Sequence, residues 1–177
     1  FQNGFQFRFR SYGALTGSLD HWNLDYVYLN ESRSLADTSM NDWAFTQPPL
    51  SMLDQFTAMP WKHYQQIAQD VTLDQLILPS YNSSPSQKLL QPCAMDVFYE
   101  GNLETTVPYA ASVLNVPPLS YFDMLYSPGS GFGFEPQIND TFVQFDVRFY
   151  IATNTTPERL KENDTIYHHQ IFENFYA

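Results

Sequence analysis

A chain of 177 residues that is 44% hydrophobic and 17% aromatic can bury a sizeable core, and so rich a supply of rings excludes an intrinsically disordered segment. Lys plus Arg number 8 against 19 Asp plus Glu. The resulting net charge of −11 argues against a nucleic-acid binder and against docking on anionic lipid, both of which need basic patches. The single cysteine, Cys93, precludes an intrachain disulfide, and no apolar run approaches the roughly 18 residues of a membrane helix, so direct membrane insertion is not expected.

The first ten residues lack the cationic start and apolar run of a signal peptide, and no methionine opens the chain, which reads as a trimmed piece of something longer. "FQFRFRS" (5–11) alternates strictly, with Phe5, Phe7 and Phe9 on one face and Gln6, Arg8 and Arg10 on the other; this predicts a half-buried strand. "YGALTGSLD" (12–20) reads as a connection. "HWNLDYVYL" (21–29) alternates again, with Trp22, Leu24, Tyr26 and Tyr28 sharing a face. Two strands alone are marginal in water, so residues 1–29 are expected to complete a sheet begun elsewhere. Residues 30–42, "NESRSLADTSMND", have the composition of an exposed linker.

Residues 43–177 read as a second domain. Pro48, Pro49 and Pro60 exclude a long helix over 43–71; one helical turn within 48–56 and a strand through "MPWKHYQQI" (59–67) are expected. "LDQLILP" (73–79) reads as a strand and 80–87 as a loop. "AMDVFYEGNLETTVPY" (94–109) predicts a hairpin turning at Gly101 and Asn102. Residues 115–140, rich in Pro and Gly, read as a long insertion. "TFVQFDVRFYIAT" (141–153) predicts a strand that buries Val143, Phe145, Val147, Phe149 and Ile151, and 164–177 holds the last strand. Short strands, frequent turns and no sustained helical period give an all-β fold, with residues 43–177 forming an immunoglobulin- or fibronectin-like β-sandwich with long loops.

No catalytic constellation stands out. His168 and His169 are adjacent and would point to opposite faces of a strand; His21 and His63 stand apart, and no zinc-ligand spacing occurs. "GSGFGF" (129–134) lacks the strand, helix and lysine of a phosphate cradle. No cofactor is called for; calcium is the one metal whose ligand chemistry the sequence suits, at Asp20, Asn23 and Asp25, whose side-chain oxygens cluster at a strand entrance, although structural hydrogen bonding explains them as simply. Trp22, Tyr12 and Tyr28 could stack on a sugar, as could Trp43 and Trp61, but core packing is the commoner use of such rings. Tyr121, Phe122, Tyr126, Phe132 and Phe134 would form an aromatic interaction loop or fold back over the sandwich. Glycosylation sequons occur at Asn30, Asn82, Asn139, Asn154 and Asn163.

Matches at Phe7, Arg8, Phe9, Gly17, Asp20, Trp22, Asp25, Tyr26, Val27 and Leu29 make the start of the chain resemble the end of jelly-roll modules in large cell-envelope proteins of Bacteroidota. Asp42, Ala44, Phe45, Leu53, Met59, Pro60 and Trp61 resemble the start of the next module, and "NDTIYHHQIFENFYA" resembles a strand that precedes a further one. The resemblance implies an exported, modular protein at the cell surface or outer membrane, associated with type IX secretion. Residues 1–29 would be the last two strands of an incomplete jelly roll. Asp164-Thr165-Ile166 also has the form that some Bacteroidota O-glycosylate, at Thr165.

The expected function is a non-enzymatic structural, adhesive or protein-interaction module. Its partners would be other domains of the same longer chain, or proteins of the secretion and outer-membrane machinery. An alternative from another class is a carbohydrate-binding accessory module of a glycan-degrading system. A protease or glycosidase would require a His beside a Ser and an Asp, or two carboxylates facing across a cleft.

Overall fold

The computed structural model describes residues 4–12, 24, 27, 29, 31, 34, 39–90, 93–109, 115–129, 132–135, 142–153 and 161–173. The chain divides into two compact units, Phe1–Thr38 and Ser39–Ala177.

In the first unit no described residue belongs to a strand. The alternation of Phe5, Phe7 and Phe9 is expressed, since their rings follow one another at centroid spacings of 6.4 and 5.7 Å. The three rings are nevertheless 53%, 55% and 61% exposed, so the expected half-buried strand is not half-buried here. Period 2 places side chains on one face; burial needs a partner layer, which the described residues of this unit do not supply. Leu24, expected to face inward, is likewise exposed. Trp22, Tyr26 and Tyr28 lie outside the described residues.

The second unit is an all-β sandwich. A three-stranded antiparallel sheet has the order β1 (Trp43–Phe45), β2 (Leu76–Asn82), β7 (Ser120–Tyr126). A four-stranded antiparallel sheet has the order β5 (Asn102–Pro108), β4 (Ala94–Tyr99), β8 (Phe142–Tyr150), β9 (Thr165–Glu173). A small third pair joins β3 (Lys88–Leu89) to β6 (Asn115–Val116). The order in which strands pass between the two larger sheets is one shared with Greek-key sandwiches of the immunoglobulin type. β4 and β5 form the expected hairpin, turned by Glu100 and Gly101; both have positive φ, 48° and 79°, which a tight hairpin turn requires and glycine meets without strain. β8 and β9 fall where alternation puts them, and Val143, Phe145, Val147, Phe149 and Ile151 are all buried.

Three elements depart from the sequence reading. The helical turn expected within 48–56 does not form, because the Met52 and Leu53 amides donate to the Gln170 and Ser51 side chains instead of helical carbonyls. Trp61–Val71 is a helix, α1, not a strand. Pro60 ends the extended segment but serves as the helix N-cap residue, where its missing N–H costs nothing. Trp61, Tyr64 and Val71 then share one buried helical face. Ser120–Tyr126 is a strand inside the supposed insertion, with Met124 and Tyr126 buried and Tyr121, Asp123 and Leu125 exposed. The flanking Pro117–Pro118 and glycines mask its alternation. Ser80–Asn82, read as loop, complete β2, and Asn41 and Asp42, read as linker, belong to the folded second unit.

The core is held by rings drawn from distant elements. Trp61 stacks on Tyr64 at 5.4 Å and meets Phe172 at 5.0 Å; Phe172 meets Tyr64 at 4.4 Å; Phe134 meets Phe145 at 4.6 Å. Between the sheets, Tyr126 of β7 meets Phe149 of β8 edge-on at 5.2 Å. Buried polar groups are tied in. Trp43 Nε1 donates to Ser80 Oγ (2.9 Å), and Ser80 Oγ donates to the Phe122 carbonyl (2.7 Å), which links β1, β2 and β7. Gln170 Oε1 accepts from the Met52 amide (2.9 Å) and Gln170 Nε2 donates to the Thr57 carbonyl (3.3 Å), fastening the 51–57 loop to β9.

Removing the Trp61 ring leaves a cavity where helix and sheet meet. Trp61→Ala is expected to cost about 3–5 kcal/mol in urea unfolding; a loss under about 1 kcal/mol would show that the helix does not rest on this ring.

Candidate functional site

With the interior filled, the outward residues of each strand make two sheet faces. On the three-stranded sheet, the antiparallel register sets Ile77 opposite Leu125, Pro79 opposite Asp123 and Tyr81 opposite Tyr121. Ile77 is 62% and Tyr121 75% exposed, and the Tyr81 and Tyr121 rings lie 4.8 Å apart. β1 pairs β2 only from Ser80 to Asn82, so beside Leu76–Pro79 the chain leaves a groove of about 190 Å3 lined by Gln47, Pro48, Leu50, Ile77 and Pro79, among others. The apolar strip thus runs into a groove that would accept a side chain.

The outer face of the four-stranded sheet is polar. Register aligns Thr106, Asp96, Arg148 and Tyr167 in one row across β5, β4, β8 and β9. Thr106 Oγ1 donates to Asp96 Oδ1 at 2.7 Å, and the Arg148 guanidinium donates to Asp96 Oδ2 through Nε (3.2 Å) and one terminal nitrogen (2.6 Å). The hydrogen bond from Arg148 to buried Asp96 is the chief cause that raises the guanidinium's pKa above its ordinary value. The guanidinium carbon also lies 5.1 Å from the Phe98 ring centroid and 5.7 Å from that of Tyr150. Beside this row opens a cleft of about 660 Å3, lined by Arg148, Tyr150, Ile151, Lys161, Glu162, Asp164, Thr165 and Tyr167. The short 3-10 turn Lys161–Asn163 forms its rim.

A second row holds Asp146 and His169, whose Nδ1 lies 2.7 Å from Asp146 Oδ1. Burial would raise the Asp146 pKa, but hydrogen bonds from Gln144 and His169 outweigh it and hold the carboxyl below its ordinary value. This is a His–Asp pair, and the contacts described for His169 are with Asp146 and Gln144, not with a serine, threonine or cysteine. His168 faces the other side of β9, next to Gln170 Oε1 at 3.4 Å. Cys93 is buried, and desolvation pushes its thiol up to about 12, so it carries no thiolate at neutral pH.

The expected aromatic loop is not a loop. Tyr121, Phe122 and Tyr126 stand on β7; Tyr126 is fully buried, Phe122 packs on Trp43 at 6.2 Å, and only Tyr121 faces out. Phe134 is buried and Phe132 half-buried against it, because the Phe134 amide donates to the Tyr64 hydroxyl at 2.9 Å and draws that segment over the core. Trp43 and Trp61 are core residues. Tyr12 is 83% exposed; Trp22, Tyr28, Asp20, Asn23 and Asp25 lie outside the described residues. Among the described residues no group of three or more His, Cys, Asp or Glu could hold a metal, and no helix is long and apolar enough to cross a membrane. Thr165 begins β9 beside the cleft. Asn82 is buried, its amide donating to the Ser86, Val116 and Pro117 carbonyls, so this sequon is closed to a glycan in the folded state. Asn163 Nδ2 donates to Asp42 Oδ2 at 2.9 Å, and the sequons at Asn30, Asn139 and Asn154 lie outside the described residues. The sequence does not single out Arg148, Tyr150, Lys161 or Tyr167; the outward half of "VQFDVRFY" is the available signal for Arg148 and Tyr150 alone.

The titrating groups give two tests. Desolvation is the first cause that lowers the His168 pKa, with repulsion from His169 adding to it. A histidine held neutral by the fold contributes stability above its unfolded pKa of about 6.5 that is lost as pH falls through the lower folded value. The melting temperature is therefore expected to drop as pH falls below about 6.5, and His168→Gln should flatten that slope; an unchanged slope excludes His168 as its source. The Cys93 thiol should resist a thiol reagent in buffer and react fully in urea, and rapid native labelling would contradict its burial.

No family model matches this chain, and no curated protein or solved structure matches it either.

Proposed function

We propose that residues 39–177 are a non-enzymatic protein-interaction module of an exported cell-surface protein, docking through the outer face of the three-stranded sheet. One observation carries this reading: two same-face pairs, Ile77–Leu125 and Tyr81–Tyr121, lie on either side of Pro79–Asp123 and point outward, and the strip continues into the groove beside Leu50. Single exposed apolar residues are ordinary on any protein; paired rows that run into a pocket-sized groove are not. Tyrosine is favoured at binding hot spots, and the groove would seat an aliphatic or aromatic anchor from the partner. The partner is a protein surface with a basic rim, because Asp123 lies within the strip and the chain carries a net charge of −11. An outer-membrane or secretion component, or another domain of the same longer chain, fits that description, and the cell-surface setting rests on the resemblance at both ends of the sequence.

A photo-reactive phenylalanine analogue in place of Tyr121, in the full-length protein on its native cells, should form one dominant protein adduct. That adduct should weaken with salt and vanish with Ile77→Glu. The same probe at Glu104, on the other sheet, should give none. Equal adducts at both positions, or an adduct indifferent to Ile77→Glu, would sink the docking face.

A further inference from the structure

We propose that the cleft on the four-stranded sheet binds an uncharged oligosaccharide, with Tyr167 as the stacking platform and Arg148 as a fixed hydrogen-bond donor. The site lies on the sheet opposite the docking strip and does not depend on it. Its volume of about 660 Å3 falls in the range of small-ligand sites, roughly 300–1,000 Å3.

Tyr167 is 56% exposed at the cleft, where its ring offers a flat apolar surface and its hydroxyl accepts a hydrogen bond from the Arg148 guanidinium. Tyr150 supplies a second, half-buried ring. Arg148 is not a loose surface cation. Asp96, itself 4% exposed and held by Thr106, fixes the guanidinium through two nitrogens, and Phe98 and Tyr150 flank it. A donor locked before binding loses little conformational freedom when a ligand arrives.

The charge pattern selects the ligand class. Around the cleft the cations Arg148 and Lys161 are met by the carboxylates of Asp96, Glu162 and Asp164, within a chain of net charge −11. Such a field does not attract an anion. A purely apolar ligand would leave these charged groups desolvated. A sugar unit suits both conditions: its ring has an apolar face of C–H groups, and its neighbouring hydroxyls each donate and accept. The lining holds donors (Arg148, Lys161) and acceptors (Glu162, Asp164), and adds three hydroxyls, of Tyr150, Thr165 and Tyr167, that do both.

The test is calorimetric titration of the purified full chain with neutral hexasaccharides of glucose, mannose, xylose and galactose, and with hexagalacturonate as the anionic comparator. Saturable binding of at least one neutral hexasaccharide is expected. Tyr167→Ala should weaken it about tenfold, the loss of one stacked ring, while Tyr167→Phe retains most of it and Glu104→Gln, outside the cleft lining, leaves it unchanged. Three results would overturn the proposal: no saturable binding to any neutral hexasaccharide, preference for hexagalacturonate, or indifference to Tyr167→Ala. Shortening of the bound oligosaccharide on long incubation would also overturn it, by making Glu162 and Asp164 a hydrolytic pair in place of ligand contacts.

Discussion

The second unit depends on five rings that no local stretch of sequence brings together: Trp61 and Tyr64 from the helix, Phe134 from the segment after β7, Phe145 from β8 and Phe172 from β9. Each ring touches others at centroid distances and tilts that suit aromatic quadrupoles, on top of the large apolar area it removes from water. The cluster also explains a polar detail. The Tyr64 hydroxyl lies within the core, where desolvation raises its pKa, and it is satisfied by Thr72 at 2.8 Å and by the Phe134 amide. One side chain thereby fixes the end of α1 and the path of the glycine-rich segment.

A filled interior makes the outer faces dependable. Strand period 2 means that whatever fixes Phe145 and Phe149 inside also fixes Asp146, Arg148 and Tyr150 outside, in register with β4 and β9. The two outer faces differ in kind. On one, Ile77, Tyr81, Tyr121 and Leu125 give an apolar strip; on the other, Asp96, Arg148, Asp146 and His169 give hydrogen-bonded polar rows. A module with one face for protein and another for sugar would join a partner to a glycan-coated surface, which is what adhesion requires.

Much of this fold is legible in the sequence. β8, β9 and the β4–β5 hairpin can be read because they are long, alternate cleanly or turn on glycine. The helix escapes such a reading because Pro60 looks like a breaker of the segment after it, whereas proline is disfavoured inside a helix and tolerated at its start. β7 escapes it because seven alternating residues sit between Pro and Gly clusters whose composition dominates any wider window. In "FQFRFR" the alternation itself is real, as the ring spacings show, yet alternation cannot say what covers the face it defines.

The candidate sites are harder to read for a related reason. Inward positions must be apolar, so a run such as Val143, Phe145, Val147, Phe149 announces itself without any knowledge of its neighbours. Outward positions are under no such rule, and Arg148 in isolation is only a charged residue on a strand. Its meaning comes from Asp96, 52 positions earlier, and from Tyr167, 19 positions later, which register alone brings alongside it. The same holds for Tyr81 and Tyr121 on the other sheet. A face built across strands is a property of pairing, and pairing between distant strands is what a single sequence encodes least directly. The residues that make the fold legible are therefore the buried ones, and the residues proposed to act are their neighbours of opposite parity.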